Sequence, residues 1–210
     1  AKAGKPNLTP AFLMGFLGLG LVALGAVANA LQGLTDLELL GTAFEEGATL
    51  LVAYGALLAL FGGFVFWAPK LCGVVIPALH VVPLALLGAA GAVLAGGASI
   101  VGGILDQPGG IPANDADVQA LFSLDFSDAG SLLAVLGLIG HAAVALTVLG
   151  FGLLVLKVLG GADADTPANP FSAHTLEWGG PSPLPADNYP VVQTVASAEP
   201  VFDLSYEGTL

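Results

Sequence analysis

The sequence predicts an all-α integral membrane protein with four transmembrane helices and an extended C-terminal tail. Hydrophobic residues make up 56% of the 210 residues and charged residues only 10%, whereas an ordinary soluble domain carries roughly 25% charged residues. The mean hydropathy is +0.89. The apolar residues fall in four long runs, and each run reaches the roughly 20 residues that a helix needs to cross a bilayer. Residues 1–159 therefore form a transmembrane region, and residues 160–210 form the tail.

The first apolar run covers residues 11–31. It follows a polar start with Lys2 and Lys5, and Pro10 stands where it can open a helix without losing a needed hydrogen bond. A basic start, an apolar run and the small residues 28–30 also resemble a signal peptide with its cleavage site. The run is longer than a usual signal core, so we predict a transmembrane helix.

The second run, residues 47–67, has chemically different ends. Glu45 and Glu46 precede it, and Pro69 and Lys70 follow it. Pro69 predicts a helix stop, because proline lacks the backbone donor of a helix interior. The paired carboxylates are candidates for binding a cation or a partner, although solvation of loop carboxylates explains them as well.

The third run, residues 76–105, contains Pro83, which predicts a kink. Its centre is dense in glycine, alanine and serine, the residues that let helix backbones approach closely in membranes. We therefore expect Gly96 and Gly97 to lie at a helix contact. The fourth run, residues 130–159, completes the bundle.

The charges orient the chain. Residues 32–46 and 106–129 are acidic and contain no cation. With four spans, all the lysines fall on the other side of the membrane, namely Lys2, Lys5, Lys70 and Lys157. Because positive loops face the cytoplasm, the sequence predicts that both termini are cytoplasmic and that the acidic loops face outward.

Composition excludes several functions. Four lysines and no arginine cannot neutralise a row of phosphates, so nucleic acid is not an expected partner. The single cysteine, Cys72, cannot form an internal disulfide. No lysine follows the glycine-rich stretches in the place that a phosphate loop requires.

Three polar residues lie in or near the spans. His141 stands near the middle of the fourth span, and we interpret it as a neutral, hydrogen-bonded packing residue, with a polar relay as the alternative. His80 stands near the start of the third span and is interpreted as interfacial. Tyr54 is predicted to bond to a carbonyl of a neighbouring helix. The spans contain no histidine pair or cysteine pair, so we expect no metal or haem site.

The tail sequence carries a family resemblance. NPFSAHTLEW at residues 169–178, followed by PSPLP at 181–185 and NYP at 188–190, resembles the C-terminal tail of subunit I of bacterial haem-copper cytochrome c oxidases. The residues that we assign to this assembly motif are Phe171, Thr175, Leu176, Glu177, Trp178 and Tyr189.

Other stretches resemble the same subunit. NLTPA at residues 7–11 is similar to the start of its ninth helix, GGF at 62–64 with WAPK at 67–70 to the end of its tenth, and Leu79-His80 to the opening of its eleventh. The resemblance implies the last four of twelve helices. It also implies a multi-pass protein of the bacterial inner membrane.

The departures concern the cofactors. Gly47 and Thr49 stand where the family has two haem-binding histidines on its tenth helix. Small residues at 90–99 and the sequence at 106–108 replace further family motifs. The resemblance therefore implies an oxidase scaffold with haem and copper elsewhere in the complex and no redox centre in this chain.

We expect a structural or assembly component of a cytochrome c oxidase, or the C-terminal part of its subunit I, which belongs to an oxidoreductase complex but is not catalytic by itself. Its expected partners are the other oxidase subunits, the lipid bilayer and a basic cytochrome c at the acidic loops. The tail is expected to bind outside the chain, with Glu177 paired to a lysine or arginine of a neighbouring helix or subunit. The alternative is a stand-alone channel, carrier or assembly factor, for which Pro83 and His141 are the support.

Overall fold

A computed structural model describes residues 8–34, 39–105, 129–161, 165–186, 195 and 197–206. Four long helices dominate these residues: α1 (Pro10–Gln32), α2 (Ala43–Cys72), α3 (Ala78–Ile104) and α4 (Ala129–Leu159). The described tail adds a short 3₁₀ helix, Leu176–Trp178, and α5 (Pro200–Tyr206). All four long helices are long and apolar enough to cross a membrane. For the described residues, the predicted all-α class is confirmed, and so are four apolar helices long enough to cross a membrane.

Helix α2 extends beyond its predicted bounds. Thr42 caps its start, where the Thr42 hydroxyl accepts a hydrogen bond from the backbone N–H of Phe44 at 3.3 Å. Its end comes at Gly73, whose left-handed backbone (φ 66°, ψ 34°) lets its N–H reach the carbonyl of Pro69 at 3.0 Å. The prediction that Pro69 stops the helix is wrong. Pro69 is fully buried, so packing around it offsets the missing backbone hydrogen bond.

The other three helices lie close to their predicted bounds. α1 and α4 differ from the predicted runs only at the terminal residues. α3 begins after Pro77, which serves as its N-cap, and continues through Pro83 without a break. Pro83 is the sixth residue of α3, so its missing N–H removes one backbone hydrogen bond, the one to the carbonyl of Leu79, and the helix continues past it.

Consecutive helices pack on one another through facing glycines. The main contacts are α1 with α2, α2 with α3, and α3 with α4. Each of these interfaces contains a pair of glycines whose added Cβ atoms would lie no more than 3.0 Å from a backbone atom of the partner helix: Gly18 and Gly55, Gly47 and Gly96, Gly91 and Gly140. A Cβ on Gly47, for example, would lie 2.5 Å from the carbonyl oxygen of Gly96. The helices approach at these points as closely as backbones allow.

The structure separates the two glycines that we expected at a contact of α3. A Cβ on Gly96 would lie 2.7 Å from Cγ of Leu51, whereas a Cβ on Gly97 would meet nothing within 4 Å. The prediction is correct for Gly96 and wrong for Gly97. Successive residues of an α-helix are rotated by about 100°, so neighbours in sequence face different sides.

Candidate functional site

The tail folds back onto the end of α2. Trp178 is only 1% exposed, and its ring lies 5.0 Å from Phe66 and 5.9 Å from Trp67, measured between ring centroids. Phe171 stacks on Phe66 at 5.2 Å and meets Trp178 edge to face at 5.5 Å. We call Phe66, Trp67, Phe171 and Trp178 the aromatic cluster. The expectation of an extended tail held only by outside contacts is wrong for these residues, since the tail packs against its own chain.

Lys70 joins the tail to α2 next to the aromatic cluster. Its side chain is 2% exposed. The ammonium donates to the carbonyl of Gly180 at 2.6 Å and to that of Pro181 at 3.3 Å, and it lies 5.3 Å from the Trp178 ring centroid. A backbone bond from the N–H of Leu184 to the Lys70 carbonyl, at 3.1 Å, adds to the contact. A buried charge is tolerated only with such partners. Together, Lys70, Trp178, Gly180 and Pro181 form what we call the tail clamp.

Short polar contacts shape the chain that enters the clamp. The hydroxyl of Thr166 donates to the carbonyl of Gly73 at 2.6 Å, which fixes the tail at the C-cap of α2. The Asn169 amide closes the following turn, because it accepts from the Ala173 N–H at 2.9 Å and donates to the Ala173 carbonyl at 2.7 Å. This turn carries Phe171 to α2. Asparagine is suited to it, since its side chain mimics a backbone turn.

The carboxylate of Glu177 accepts a hydrogen bond from the Thr175 hydroxyl at 2.6 Å. Its charge also interacts with that of Lys70 on α2, which agrees in part with the expected lysine or arginine partner. A partner on another subunit stays a prediction. In the part of the chain that the structure describes, the one ion pair within 4.0 Å joins His174 and Glu199, at 3.5 Å. Glu177 is half-buried, so water can solvate its charge. Tyr189, the last residue of the predicted motif, lies outside the described residues.

His141 and Tyr54 meet between α4 and α2. The Tyr54 hydroxyl lies 2.7 Å from Nδ1 of His141, and the two rings are edge to face at 5.9 Å. His141 is thus hydrogen-bonded, as expected, but the prediction that Tyr54 bonds to a backbone carbonyl is wrong. The bond joins the two side chains directly, and which of them donates follows from the tautomer of the imidazole.

The surroundings of Tyr54 and His141 bear on the metal and relay alternatives. Among the described residues, no group of three histidine, cysteine or acidic side chains could hold a metal ion. His80 lies in the first turn of α3 and is exposed, so the structure does not bring the two histidines together. The geometry supports a hydrogen bond that links two helices.

We predict that Tyr54 and His141 are energetically coupled. Tyr54→Phe and His141→Leu each remove the same hydrogen bond, so the double variant should lose less stability than the sum of the two. The coupling should be about 0.6 kcal/mol, and at most about 1.7 kcal/mol, as for other hydrogen bonds between membrane helices. Unfolding free energies in mixed micelles, measured for the four proteins of the cycle, test this. Strictly additive losses would show that the pair is not coupled.

Gly47 and Thr49, the two positions that the predicted resemblance aligns with haem-binding histidines, do not fit a haem. Gly47 has no ligating side chain, and α3 occupies the adjoining space, since a Cβ on Gly47 would lie 2.6 Å from the backbone nitrogen of Ile100. Thr49 is exposed, and its hydroxyl donates to the Glu45 carbonyl of its own helix at 3.0 Å. Neither residue offers iron a nitrogen ligand.

Comparison with known proteins gives no family. The sequence matches no protein-family model and no curated protein. The sequence placed Trp178 in the tail motif and Lys70 in the WAPK stretch at residues 67–70, but it did not predict that these two residues contact each other.

Proposed function

We propose that this chain is a structural module of a bacterial cytochrome c oxidase complex, either as the C-terminal part of subunit I or as a separate subunit. One observation carries the proposal. The end of α2 (residues 62–73) and the tail motif (residues 169–178) are the two stretches that most resemble the oxidase subunit, and they contact each other through the tail clamp and the aromatic cluster. Chance similarity in two distant stretches gives no reason for such a contact.

The chemistry of α2 supports a packing role within that complex. At Gly47 the helix meets α3 backbone to backbone, and no ligand for iron is offered there. In this proposal the haem and copper centres belong to other parts of the complex, which carry out oxygen reduction coupled to proton transfer. The chain contributes a rigid four-helix surface and a docked tail.

The geometry favours this role over that of a stand-alone carrier. Carriers typically bind their substrate where membrane helices are interrupted near the midplane. Here α3 runs unbroken through Pro83, and Tyr54 and His141 near the middle of their helices are bonded to each other. The polar groups that favoured a carrier in the sequence are thus explained by packing.

The proposal places the tail in the cytoplasm and the start of α2 outside, in the inner membrane of a bacterial cell. We expect a cysteine at Leu40, which is 69% exposed, to react with an impermeant maleimide on intact cells. A cysteine at the exposed Ala198 should react only after the cells are opened. Both variants carry Cys72→Ser. Labelling of Ala198→Cys on intact cells, with Leu40→Cys protected, would reverse the orientation.

The acidic segments on the outer side are predicted to attract a partner protein. Residues 35–38 and 106–128, which include most of the loop acids, lie outside the described residues. We propose that their charge attracts a basic cytochrome c through long-range electrostatics. The attraction should weaken as salt increases, because the Debye length falls from about 30 Å at 0.01 M to about 10 Å at 0.1 M.

A native gel tests the proposed function. The full-length tagged chain should run in a large band that stains for haem and contains other oxidase subunits by mass spectrometry. Deletion of residues 168–210 should leave the four helices inserted in the membrane but remove the chain from that band. A full-length chain that runs alone and free of haem contradicts the proposal. A normal complex with normal oxygen consumption after deletion contradicts the role of the tail.

A further inference from the structure

A second site lies where the start of α3 meets the end of α4. A cavity of about 410 Å³ opens there. Its apolar wall contains buried side chains from the α2–α3 connection and from α4: Ile76, Leu154 and Val158. His80 and Lys157 supply its polar part. The cavity thus combines an apolar wall with a cationic rim at the start of α3 and the end of α4.

The positive charge at this cavity is unusual for so acidic a chain. The sequence has four lysines and sixteen acidic residues, yet the exposed side chain of Lys157 has no acidic partner within the described residues. Lys70, in contrast, is buried and bonded to carbonyls of the tail clamp. His80 lines the same cavity and forms no ion pair with another described residue, and its ring can donate a hydrogen bond in either protonation state.

We propose that this cavity binds the phosphate group of an anionic phospholipid. Lys157 and His80 would contact the phosphate oxygens, and the apolar wall would take the glycerol backbone and the first part of an acyl chain. Basic pockets between membrane helices have the chemistry to bind anionic headgroups. A free phosphate ion would gain nothing from Ile76, Leu154 and Val158, so the apolar wall favours the lipid. The proposal does not depend on the oxidase assignment.

Native mass spectrometry of the purified full-length chain tests this inference. Phosphatidylglycerol, titrated in a neutral detergent, should bind to one saturable site with an affinity at least about tenfold above that of phosphatidylcholine. The double variant His80→Gln, Lys157→Gln should lose about tenfold in affinity for phosphatidylglycerol, since one lysine near an anionic surface contributes roughly fivefold. Lys157→Arg, which keeps the charge, should bind as the unchanged chain does.

Two controls keep the result interpretable. The double variant should unfold at the same temperature as the unchanged chain in phosphatidylcholine, because both side chains are exposed. Inorganic phosphate at millimolar concentration should not displace the lipid. Equal affinity of the double variant for phosphatidylglycerol, equal binding of both lipids, or displacement by inorganic phosphate would each overturn the proposal.

Discussion

Replacing Trp178 by alanine is expected to release the tail from the end of α2. The indole is almost fully buried, and truncation of such a side chain costs about 3–5 kcal/mol. It also removes the aromatic face beside the buried ammonium of Lys70. Protease cleavage of the tail in inside-out membrane vesicles, which expose the cytoplasmic side, should become at least about 100-fold faster, since each 1.4 kcal/mol changes the open population about tenfold.

Phe202 provides the matched control for Trp178. It is an aromatic residue of the same tail but is 46% exposed, so Phe202→Ala should change the cleavage rate far less. Lys70→Met should act in the same direction as Trp178→Ala, because it leaves the carbonyls of Gly180 and Pro181 without their donor. If the tail of Trp178→Ala stays as resistant as that of the unchanged chain, the clamp does not hold it.

Leucine at Gly91 is expected to separate α3 from α4. A Cβ at this position would already lie 2.8 Å from the carbonyl oxygen of Gly140 and 2.9 Å from Cβ of Ala143. Overpacking typically costs 1–3 kcal/mol, and we expect about 3 kcal/mol here, because the nearest atom belongs to the backbone. The midpoint of thermal unfolding in detergent should fall accordingly.

Gly97→Leu is the control on the same helix. It makes the same change of residue, but a Cβ there meets nothing within 4 Å, so the midpoint should stay unchanged. An equal fall of the unfolding midpoint at both positions would show that leucine destabilises α3 itself rather than its contact with α4. Equal tolerance would show that the facing glycines do not determine the packing.

The four helices could be predicted because length and hydropathy alone decide them. The end of α2 could not. By its local sequence, Pro69 predicts a helix stop. The helix continues because residues more than a hundred positions later in the sequence bury the last turn of α2 and bond to Lys70. A local pattern does not contain this information.

The tail was misjudged for a related reason. Its prolines and few apolar residues predict that it cannot form a core alone. Phe171 and Trp178 instead share a core with Phe66 and Trp67 of α2, and the sequence does not say which surface they share. The resemblance to the oxidase tail identified the important residues, but not their partners.

The contacts between helices were the least predictable. Tyr54 and His141 are 87 positions apart, and their meeting depends on the relative rotation and depth of α2 and α4. The same rotation separates Gly96, at a contact, from Gly97, away from it. Hydropathy fixes neither quantity, since lipid and helix surface are equally apolar.

The proposed membership of an oxidase complex, with no haem in the chain itself, is tested most directly by the reduced-minus-oxidised absorption spectrum of the affinity-purified, tagged chain. Material purified gently from membranes should show the bands of haem a, and the bands should disappear when the chain is separated from its partners in stronger detergent. A spectrum without haem in the gently purified material would contradict membership of the complex, and haem that stays with the separated chain would contradict its structural role.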